Sequence, residues 1–454
     1  MPLQQKQLKE YPNSKINSTL PLNAVVADKN GDIFELEDYG AVAMSGSEPT
    51  LLMQKDTIKM PYGSELMMLP NCKPIVFSFD RGRFEALEEN PYQAGEPIFP
   101  VALFNSPGYV NRYFCAYEHL KSDYLLPLFS YGACGWASNG GAGDGDFMSA
   151  AICVDTEPRQ DLRFMPYDGI VAGVDKMRIK YPSNRLIRHL EKCALQYGCP
   201  AAKNFFLSRY EAPIPTSNRC NANCLGCISL QKENNLMACQ DRISFIPKPL
   251  EIADVALEHL PKVKDGVASF GQGCEGDPLT AFHAIEPAIR LVREKIDVGT
   301  INMNTNAGMP DRLSALFDAG LDSVRVSMNS LRESCYNAYF RPKSYEFSDV
   351  IKSIEIAGKK GKFVSINYLN CPGVTDSEKE FKALQNFLGK YPVDMIQWRN
   401  MNYDPLIYFK NMEQVEGKST PLGMDIIIKE LKRDFPKLRH GYFNPPIHKT
   451  LMQK

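Results

Sequence analysis

Three of the thirteen cysteines lie within residues 219–227, which read RCNANCLGC. Cys220, Cys224 and Cys227 follow the spacing C-x3-C-x2-C, which places three thiolates on one short loop. Closed zinc and iron–sulfur sites made only of cysteine use four thiolates. Three thiolates therefore predict an iron–sulfur cluster with one iron left open to another ligand. A zinc knuckle and three unrelated thiols remain the alternatives.

A glycine-rich segment, residues 271–279 (GQGCEGDPL), is the second candidate for chemistry. Glycines allow a backbone to approach a ligand closely, and carbonyl and carboxylate oxygens accept hydrogen bonds from an ammonium group. The segment therefore predicts a ligand-binding loop, with an ordinary β-α turn as the alternative. Cys274, inside the segment, is either close to the ligand or a small buried hydrophobe.

Polar side chains also cluster where later strands are expected to end. In residues 325–329 (RVSMN), Arg325, Ser327 and Asn329 alternate onto one face of a strand. A guanidinium, a hydroxyl and an amide on one face suit a carboxylate and ribose hydroxyls. Further polar candidates at strand ends are residues 304–308 (NTNAG), Asn367, Asn370, Gln397, Arg399 and Asn400.

These segments need a scaffold that brings them together, and the sequence from about residue 212 predicts one. Short apolar strands alternate there with longer helices, which is typical of β-α units with a parallel sheet. The predicted strands span residues 214–216, 266–270, 300–304, 323–328, 363–369 and 394–398; the predicted helices span 250–260, 281–294, 311–319, 346–360 and 376–388. In barrels of this kind ligands bind at the carboxyl ends of the strands, where the candidate segments fall.

The cysteine spacing resembles the signature of the radical S-adenosyl-L-methionine (SAM) enzymes, and residues 212–405 resemble their partial barrel of six β-α units. The resemblance implies that Cys220, Cys224 and Cys227 hold a [4Fe–4S] cluster whose fourth iron is chelated by SAM. It also matches further residues to segments that bind SAM in the family: Gly276, Asp277 and Pro278 to Gly-Gly-Glu-Pro, Thr305 and Asn306 to Thr-Asn-Gly, and Ser327 and Asn329 to the ribose- and carboxylate-binding strand end. Arg399 is a weaker candidate contact to SAM or substrate. Two residues depart from the family pattern, since Gly226 replaces a common aromatic residue and Asp277 replaces Glu.

The resemblance implies reductive cleavage of SAM to a 5′-deoxyadenosyl radical, which then abstracts hydrogen from a substrate. A reduced flavodoxin or ferredoxin would supply the electron, by family analogy. Nothing in the sequence identifies the substrate, whether a small molecule, a peptide or a nucleic acid. Two alternatives stay open: a noncatalytic iron–sulfur or zinc protein with a protein partner, and a barrel that has lost productive SAM binding.

The length of 454 residues predicts two or three domains. We predict an α/β protein with a mixed, strand-rich N-terminal domain at residues 1–205, a partial (β/α)6 TIM-like barrel at 212–405, and a basic C-terminal tail or helix at 406–454. A hairpin is predicted around Asn30 and Gly31, and residues 132–146 are predicted to be a flexible glycine-rich connection. The formal net charge of −1 argues against general polyanion binding.

Cysteine usage and the ends of the chain predict a reduced, cytoplasmic protein without a membrane segment. The thirteen cysteines lack the dense spacing of a secreted disulfide scaffold, and no apolar run is long enough to span a bilayer. A helix predicted at residues 184–196 places Cys193 on its buried face. Whether the pairs Cys134/Cys153 and Cys193/Cys199 pack in the core or help to hold a second cluster stays open.

Overall fold

A computed structural model describes residues 20–121, 124–141, 144–231 and 236–447. An antiparallel N-terminal region is followed by three helices and then by a parallel sheet with helices packed on it. The largest hydrophobic core lies between that parallel sheet and its helices, whereas the N-terminal strands enclose several smaller clusters. Over the described residues, no helix combines the length and apolar character needed to cross a membrane.

The N-terminal region consists of short antiparallel strands, most of which join one sheet. Its strands are β1 Asn23–Ala27, β2 Ile33–Ser45, β3 Glu48–Leu51, β4 Ile58–Lys59, β5 Glu65–Met68, β6 Cys72–Ser78, β7 Arg83–Ala86, β8 Phe99–Phe104, β9 Tyr109–Asn111, β10 Phe114–Cys115, β11 Tyr117–His119, β12 Cys134–Gly141, β13 Asp144–Ser149 and β14 Ala151–Cys153. The predicted hairpin is present, since β1 and β2 pair across a turn in which Gly31 has a φ of 87°.

The prediction of a flexible connection at residues 132–146 was wrong. The segment builds most of an antiparallel pair, β12 with β13, in which Trp136 lies opposite Phe147 and their ring centroids are 4.8 Å apart. The glycines serve strand packing: a Cβ on Gly135 would lie 2.8 Å from side-chain atoms of Ala41 and Leu22. At Gly135, close packing against Leu22 and against Ala41 of β2 therefore explains the glycine better than flexibility does.

Three helices connect the two sheets: α1 Tyr167–Lys180, α2 Arg185–Leu195 and α3 Pro200–Phe206. The helix predicted at residues 184–196 is confirmed as α2. Its first turn is capped by Asn184, whose side chain accepts a hydrogen bond from the Ile187 N–H at 3.0 Å. Cys193 lies on the buried face, as predicted.

The second sheet contains seven parallel strands in sequential order, which confirms the predicted α/β fold with a partial barrel. The strands are β15 Glu211–Pro213, β16 Val267–Phe270, β17 Thr300–Thr305, β18 Ser323–Met328, β19 Phe363–Asn370, β20 Met395–Asn400 and β21 Arg439–Gly441. The helices are α4 Pro249–His259, α5 Phe282–Lys295, α6 Pro310–Ala319, α7 Glu333–Phe340, α8 Phe347–Lys359, α9 Glu378–Lys390, α10 Pro405–Glu416 and α11 Met424–Asp434.

The strand β21 extends the barrel beyond the six predicted β-α units. It pairs in parallel with β20, so the chain continues the barrel past residue 405 where a basic tail was expected. Asn444 then enters the barrel interior, donating a hydrogen bond to Glu211 Oε1 at 2.7 Å and accepting one from Gln397 at 3.1 Å. Only three residues long and largely polar, β21 carries no alternating apolar pattern that a sequence reading detects.

We expect the free energy of unfolding to fall in acid because of His259. This side chain ends α4, is 1% exposed, and donates from Nε2 to the Tyr210 carbonyl at 3.2 Å. Burial lowers its pKa to about 4. The contribution of this side chain to the free energy of unfolding is therefore fully present above the unfolded-state pKa of about 6.5, and it is lost as the pH falls through 4. One such group contributes up to about 1.4 kcal/mol per pH unit. His259→Gln should flatten the dependence of melting temperature on pH between 6.5 and 4, whereas the same change at the exposed His283 should not.

Candidate active site

The cysteine loop follows β15 and is anchored on two sides to other parts of the barrel. The N–H groups of Asn223 and Leu225 donate to the carbonyls of Phe340 and Tyr339, each at 3.0 Å. On the opposite side, Asn221 accepts a hydrogen bond from the Asn306 amide at 2.6 Å. The end of α7 and the turn after β17 therefore hold the loop in place.

Gly226, the departure from the aromatic residue common in the family pattern, lies against α7. The hydroxyl oxygen of Tyr339 is 2.8 Å from the position that a Cβ on Gly226 would occupy, and the Asn402 carbonyl oxygen is 3.1 Å from it. The buried ring of Tyr339 thus fills the space beside the third cysteine. A glycine at 226 fits this aromatic neighbour, which comes from a different segment of the chain.

The glycine-rich loop after β16 packs directly on the cysteine loop. A Cβ on Gly276 would lie only 1.8 Å from the Arg219 carbonyl oxygen, and the Gly276 N–H donates to Ser217 at 2.7 Å. The backbone at Gly276 therefore makes a close approach, as the sequence predicts. The structure shows it approaching the cysteine loop, whereas the sequence predicted a ligand.

Glu275, which the sequence reading did not single out, joins the two loops. One of its carboxylate oxygens accepts hydrogen bonds from the N–H groups of Thr216 and Ser217 at 2.8 and 2.9 Å. The other accepts from Gly271 and Gln272, both at 2.7 Å. Burial raises the pKa of Glu275 to about 7, and the N–H donors act in the opposite direction. The sequence signal for Glu275 is its carboxylate within a glycine-rich turn. The resemblance to the family motif instead pointed to Asp277, two residues later.

Asp277 connects the turns after β16 and β17. Its carboxylate accepts hydrogen bonds from the Thr305 hydroxyl at 2.9 Å, the Asn306 N–H at 2.7 Å and the Leu279 N–H at 3.0 Å. Burial raises the pKa of Asp277 to about 6. The structure thus brings together Asp277, Thr305 and Asn306, three residues that the sequence predicts at the site. Pro278 begins the short helical turn that Asp277 caps.

The predicted row on β18 divides into two environments. Ser327 is half-buried, whereas Asn329 is fully buried and donates to the Cys335 carbonyl and the Tyr408 hydroxyl at 3.1 and 3.0 Å. Arg325 donates to Gln397 Oε1 at 3.0 Å inside the barrel. Asn329 therefore supports the packing of α7 and α10, while Ser327 retains the half-exposed position expected of a ligand contact.

Asn370 and Asn400, predicted at the barrel mouth, hold the N-terminal region there. The Asn370 side chain donates to the Asn111 carbonyl, and the Asn400 side chain accepts from the Asn111 N–H, both at 2.7 Å. Nearby, the buried Asp404 accepts a hydrogen bond from the Tyr117 hydroxyl at 2.8 Å. The strands β9 and β11 are thus attached at the carboxyl ends of β19 and β20.

Two features of the surroundings act on the thiols of the three cysteines. The Arg242 guanidinium donates to Cys227 Sγ at 3.4 Å, which places positive charge beside a sulfur. Burial raises the pKa of Cys220 to about 11, so the thiolate form depends on a bound metal.

Parts of the chain are similar to known proteins. Residues 214–384 match the family model described as the Radical SAM superfamily. The chain is 27% identical over 187 residues to GTP 3′,8-cyclase of Thermodesulfovibrio yellowstonii, covering 41% of this chain and 55% of that protein. It is 25% identical over 182 residues to the FeMo cofactor biosynthesis protein NifB of Klebsiella pneumoniae, covering 36% of this chain and 38% of that protein. Among solved structures, methylornithine synthase (PylB) is matched with a TM-score of 0.37 at 15% identity, covering 59% of this chain and 78% of that one.

Residues 214–384 are a radical SAM domain, the domain that defines the radical SAM class of enzymes. Enzymes of this class use a [4Fe–4S] cluster and SAM, and they need a reductant as electron donor. The matches cover about half the length of the cyclase and less than two fifths of NifB.

Proposed function

We propose that this protein binds a [4Fe–4S] cluster through Cys220, Cys224 and Cys227 and cleaves SAM reductively to a 5′-deoxyadenosyl radical. The observation that carries the proposal is the C-x3-C-x2-C spacing of the three thiols on a loop inside the region that matches the Radical SAM family model. Three thiolates leave one iron for SAM. The chemistry that the cluster supplies is a single electron to the SAM sulfonium, and the chain's own part is to hold and shield the reactants.

The residues around the cysteines support this role by making a rigid support. Glu275 and Gly276 bind the start of the cysteine loop, and Asn306 binds its middle. We propose that the half-buried Ser327 and the backbone around Gly276, Asp277 and Pro278 contact SAM, and that the side chains of Thr305, Asn306 and Asn329 hold the surrounding loops. Preorganisation of this kind limits reorganisation when the reaction occurs.

We also propose where the protein works and what donates the electron. All thirteen cysteines are free thiols, which suits a reduced compartment such as the cytoplasm. A reduced flavodoxin or ferredoxin is the proposed donor, because the chemistry requires single electrons. The alternative of a noncatalytic metal protein is tested by the same experiment.

The experiment is anaerobic incubation of the iron–sulfide-reconstituted protein with SAM and dithionite, with 5′-deoxyadenosine as the measured product. We expect the product to accumulate, even without substrate, because the isolated radical is quenched by solvent or protein hydrogen. A protein with a full, reducible cluster that binds no SAM and forms no product would contradict the proposal and favour the noncatalytic alternative.

We further infer that the substrate carries an anionic group. Arg325 and Arg399 lie close enough inside the barrel that the positive charge of Arg399 adds to burial in lowering the pKa of Arg325 to about 9. The Nε atoms of both are buried without a hydrogen-bond partner among the described residues, and the Arg399 guanidinium lies 3.7 Å from the centroid of the Tyr442 ring. Two neighbouring guanidinium groups with unused donors suit a carboxylate or phosphate. Arg325 also lies two residues before Ser327 on β18. It is therefore farther than Ser327, the proposed SAM contact, from the carboxyl end of the strand.

Arg325→Met should separate substrate binding from SAM cleavage. Inorganic phosphate should raise the melting temperature of the wild type, because a ligand that binds only the folded state stabilises it, and should raise that of the variant by much less. SAM affinity and 5′-deoxyadenosine formation without substrate should stay within about threefold of wild type, under about 1 kcal/mol. A loss of SAM affinity in the variant would instead assign the arginines to the carboxylate of SAM.

A further inference from the structure

A second cluster of metal-binding side chains lies outside the proposed SAM site, where α2 packs against the loop after β16. His189 and Cys193 are four residues apart on α2 and therefore share a face. Cys274 comes from the glycine-rich loop. His189 Nε2 is 3.3 Å from Cys274 Sγ and 3.6 Å from Cys193 Sγ, and the three ligand atoms all lie within 4.8 Å of one another.

We propose that His189, Cys193 and Cys274 bind one zinc ion, which joins the helical segment to the glycine-rich loop of the barrel. The geometry carries the proposal. Tetrahedral zinc with bonds of about 2.3 Å to sulfur and about 2.05 Å to nitrogen places those atoms about 3.6 Å apart, close to both distances observed. Two thiolates and an imidazole form a donor set that suits zinc.

The alternative to a metal site is a hydrogen-bonded group formed by the same three side chains. An imidazole nitrogen has either one proton or one lone pair in the ring plane, so it serves one directional partner. Here two sulfur atoms converge on the same Nε2, and Cys193 and Cys274 are 2% and 6% exposed. The two thiols also hydrogen-bond to each other, so each sulfur atom has a partner without a metal, and the metal analysis below decides between the two arrangements. A metal ion in the centre of the three atoms satisfies all of them.

The charges of the occupied site balance. Binding of Zn²⁺ would release two protons as both thiols become thiolates, while the imidazole binds as the neutral base. The two negative charges cancel the charge of the ion, which suits a buried site. Three protein ligands leave the fourth tetrahedral position to water.

The position of the site gives it a supporting role for the cysteine loop. Cys274 immediately precedes Glu275 and Gly276, which bind the segment leading to the three cluster cysteines. The Cys274 carbonyl also accepts a hydrogen bond from the Ile243 N–H at 2.8 Å. An ion here would fix the glycine-rich loop to α2. Of the two pairs left open by the sequence, Cys193/Cys199 contributes only Cys193 to this group, and Cys134 of the other pair is buried in the N-terminal sheet, its Sγ donating to the Val101 carbonyl at 3.6 Å.

The test measures zinc and iron per chain in anaerobically purified, cluster-loaded protein. We expect about one zinc in the wild type, lost in Cys193→Ala and in His189→Ala with the iron of the cluster retained. Cys134→Ala, which removes a buried cysteine elsewhere, is the matched control and should retain both metals. Retention of the iron separates this result from a failure of the proposed SAM chemistry.

Cobalt substitution of the wild type tests the site without depending on a variant that folds. Protein stripped of zinc and given Co²⁺ should show the thiolate-to-metal charge-transfer absorption of a tetrahedral site, and added Zn²⁺ should abolish it. The proposal is overturned by a wild type that takes up neither ion, by a disulfide between Cys193 and Cys274 in peptide mapping, or by iron at these residues in place of zinc.

Discussion

Replacing Cys224 by alanine is expected to abolish formation of 5′-deoxyadenosine and to remove most of the cluster iron, which is about four atoms per chain in the wild type. Cys224 is the middle cysteine of the loop, and burial raises the pKa of its thiol well above the usual range. Such a thiol becomes a thiolate only by binding metal. With two thiolates remaining, a cubane cluster loses the ligand of one iron, so both the iron and the electron transfer that depends on it should be lost. Anaerobic iron and sulfide analysis and product chromatography measure the two losses.

The informative control for this change is Cys239→Ala. Burial raises the pKa of Cys239, and the nearby Cys227 adds to this rise, which places Cys239 close to the cysteine loop. The Cys239 thiol donates a hydrogen bond to the Leu128 carbonyl at 3.5 Å. It is the nearest candidate along the chain for a fourth thiolate that would close the site. We expect Cys239→Ala to keep its iron and to retain SAM cleavage within about threefold, since a neutral hydrogen bond contributes about 1 kcal/mol. Loss of metal in this variant would mean a closed four-cysteine site, and the noncatalytic alternative would then be the better reading.

The parts of the barrel that the sequence predicts well are those with a periodic apolar pattern. The strand predicted at residues 323–328 is Ser323–Met328, and the helix predicted at 311–319 is Pro310–Ala319. Both have buried residues at regular spacing, which is a local property of the chain. The short strand Arg439–Gly441 has no such pattern, because it is held by pairing with β20 and not by its own composition.

The roles of polar residues at the mouth were harder to predict, because they depend on segments far away in sequence. Asn370 and Asn400 have residue types and positions suited to a ligand, yet both bind the backbone of Asn111 in the N-terminal region. No property of β19 or β20 alone indicates that partner. Glu275 shows the same limit, because its four N–H donors belong to two separate loops.

Gly276→Ala is expected to damage the protein nearly as much as the loss of a cluster ligand, although the residue carries no functional group. The added Cβ would lie 1.8 Å from the carbonyl oxygen and 2.4 Å from the carbonyl carbon of Arg219, and both of these are backbone atoms that no rotamer change can move. The glycine-rich loop and the cysteine loop must then separate, which breaks the bond from Gly276 to Ser217 and the one from Asp277 to Arg219. We expect the free energy of unfolding to fall by about 3 kcal/mol. A displacement of about 1 Å at the cluster should also slow SAM cleavage by about 100-fold.

The matched change is Gly389→Ala, in α9, where a Cβ would meet no atom within 4 Å. Alanine at an open helical position is expected to stabilise the protein by about 0.5–1 kcal/mol, because it restricts the unfolded chain more than glycine does. Melting temperature, iron content and 5′-deoxyadenosine formation in the two variants then separate the effect of the methyl group from the effect of its position. If Gly276→Ala kept its iron and cleaved SAM at the wild-type rate, the two loops could move apart without cost. In that case the cysteine loop would be positioned from the side of α7 and Asn306, and the glycine-rich loop would be free to approach the ligand, as the sequence alone predicts.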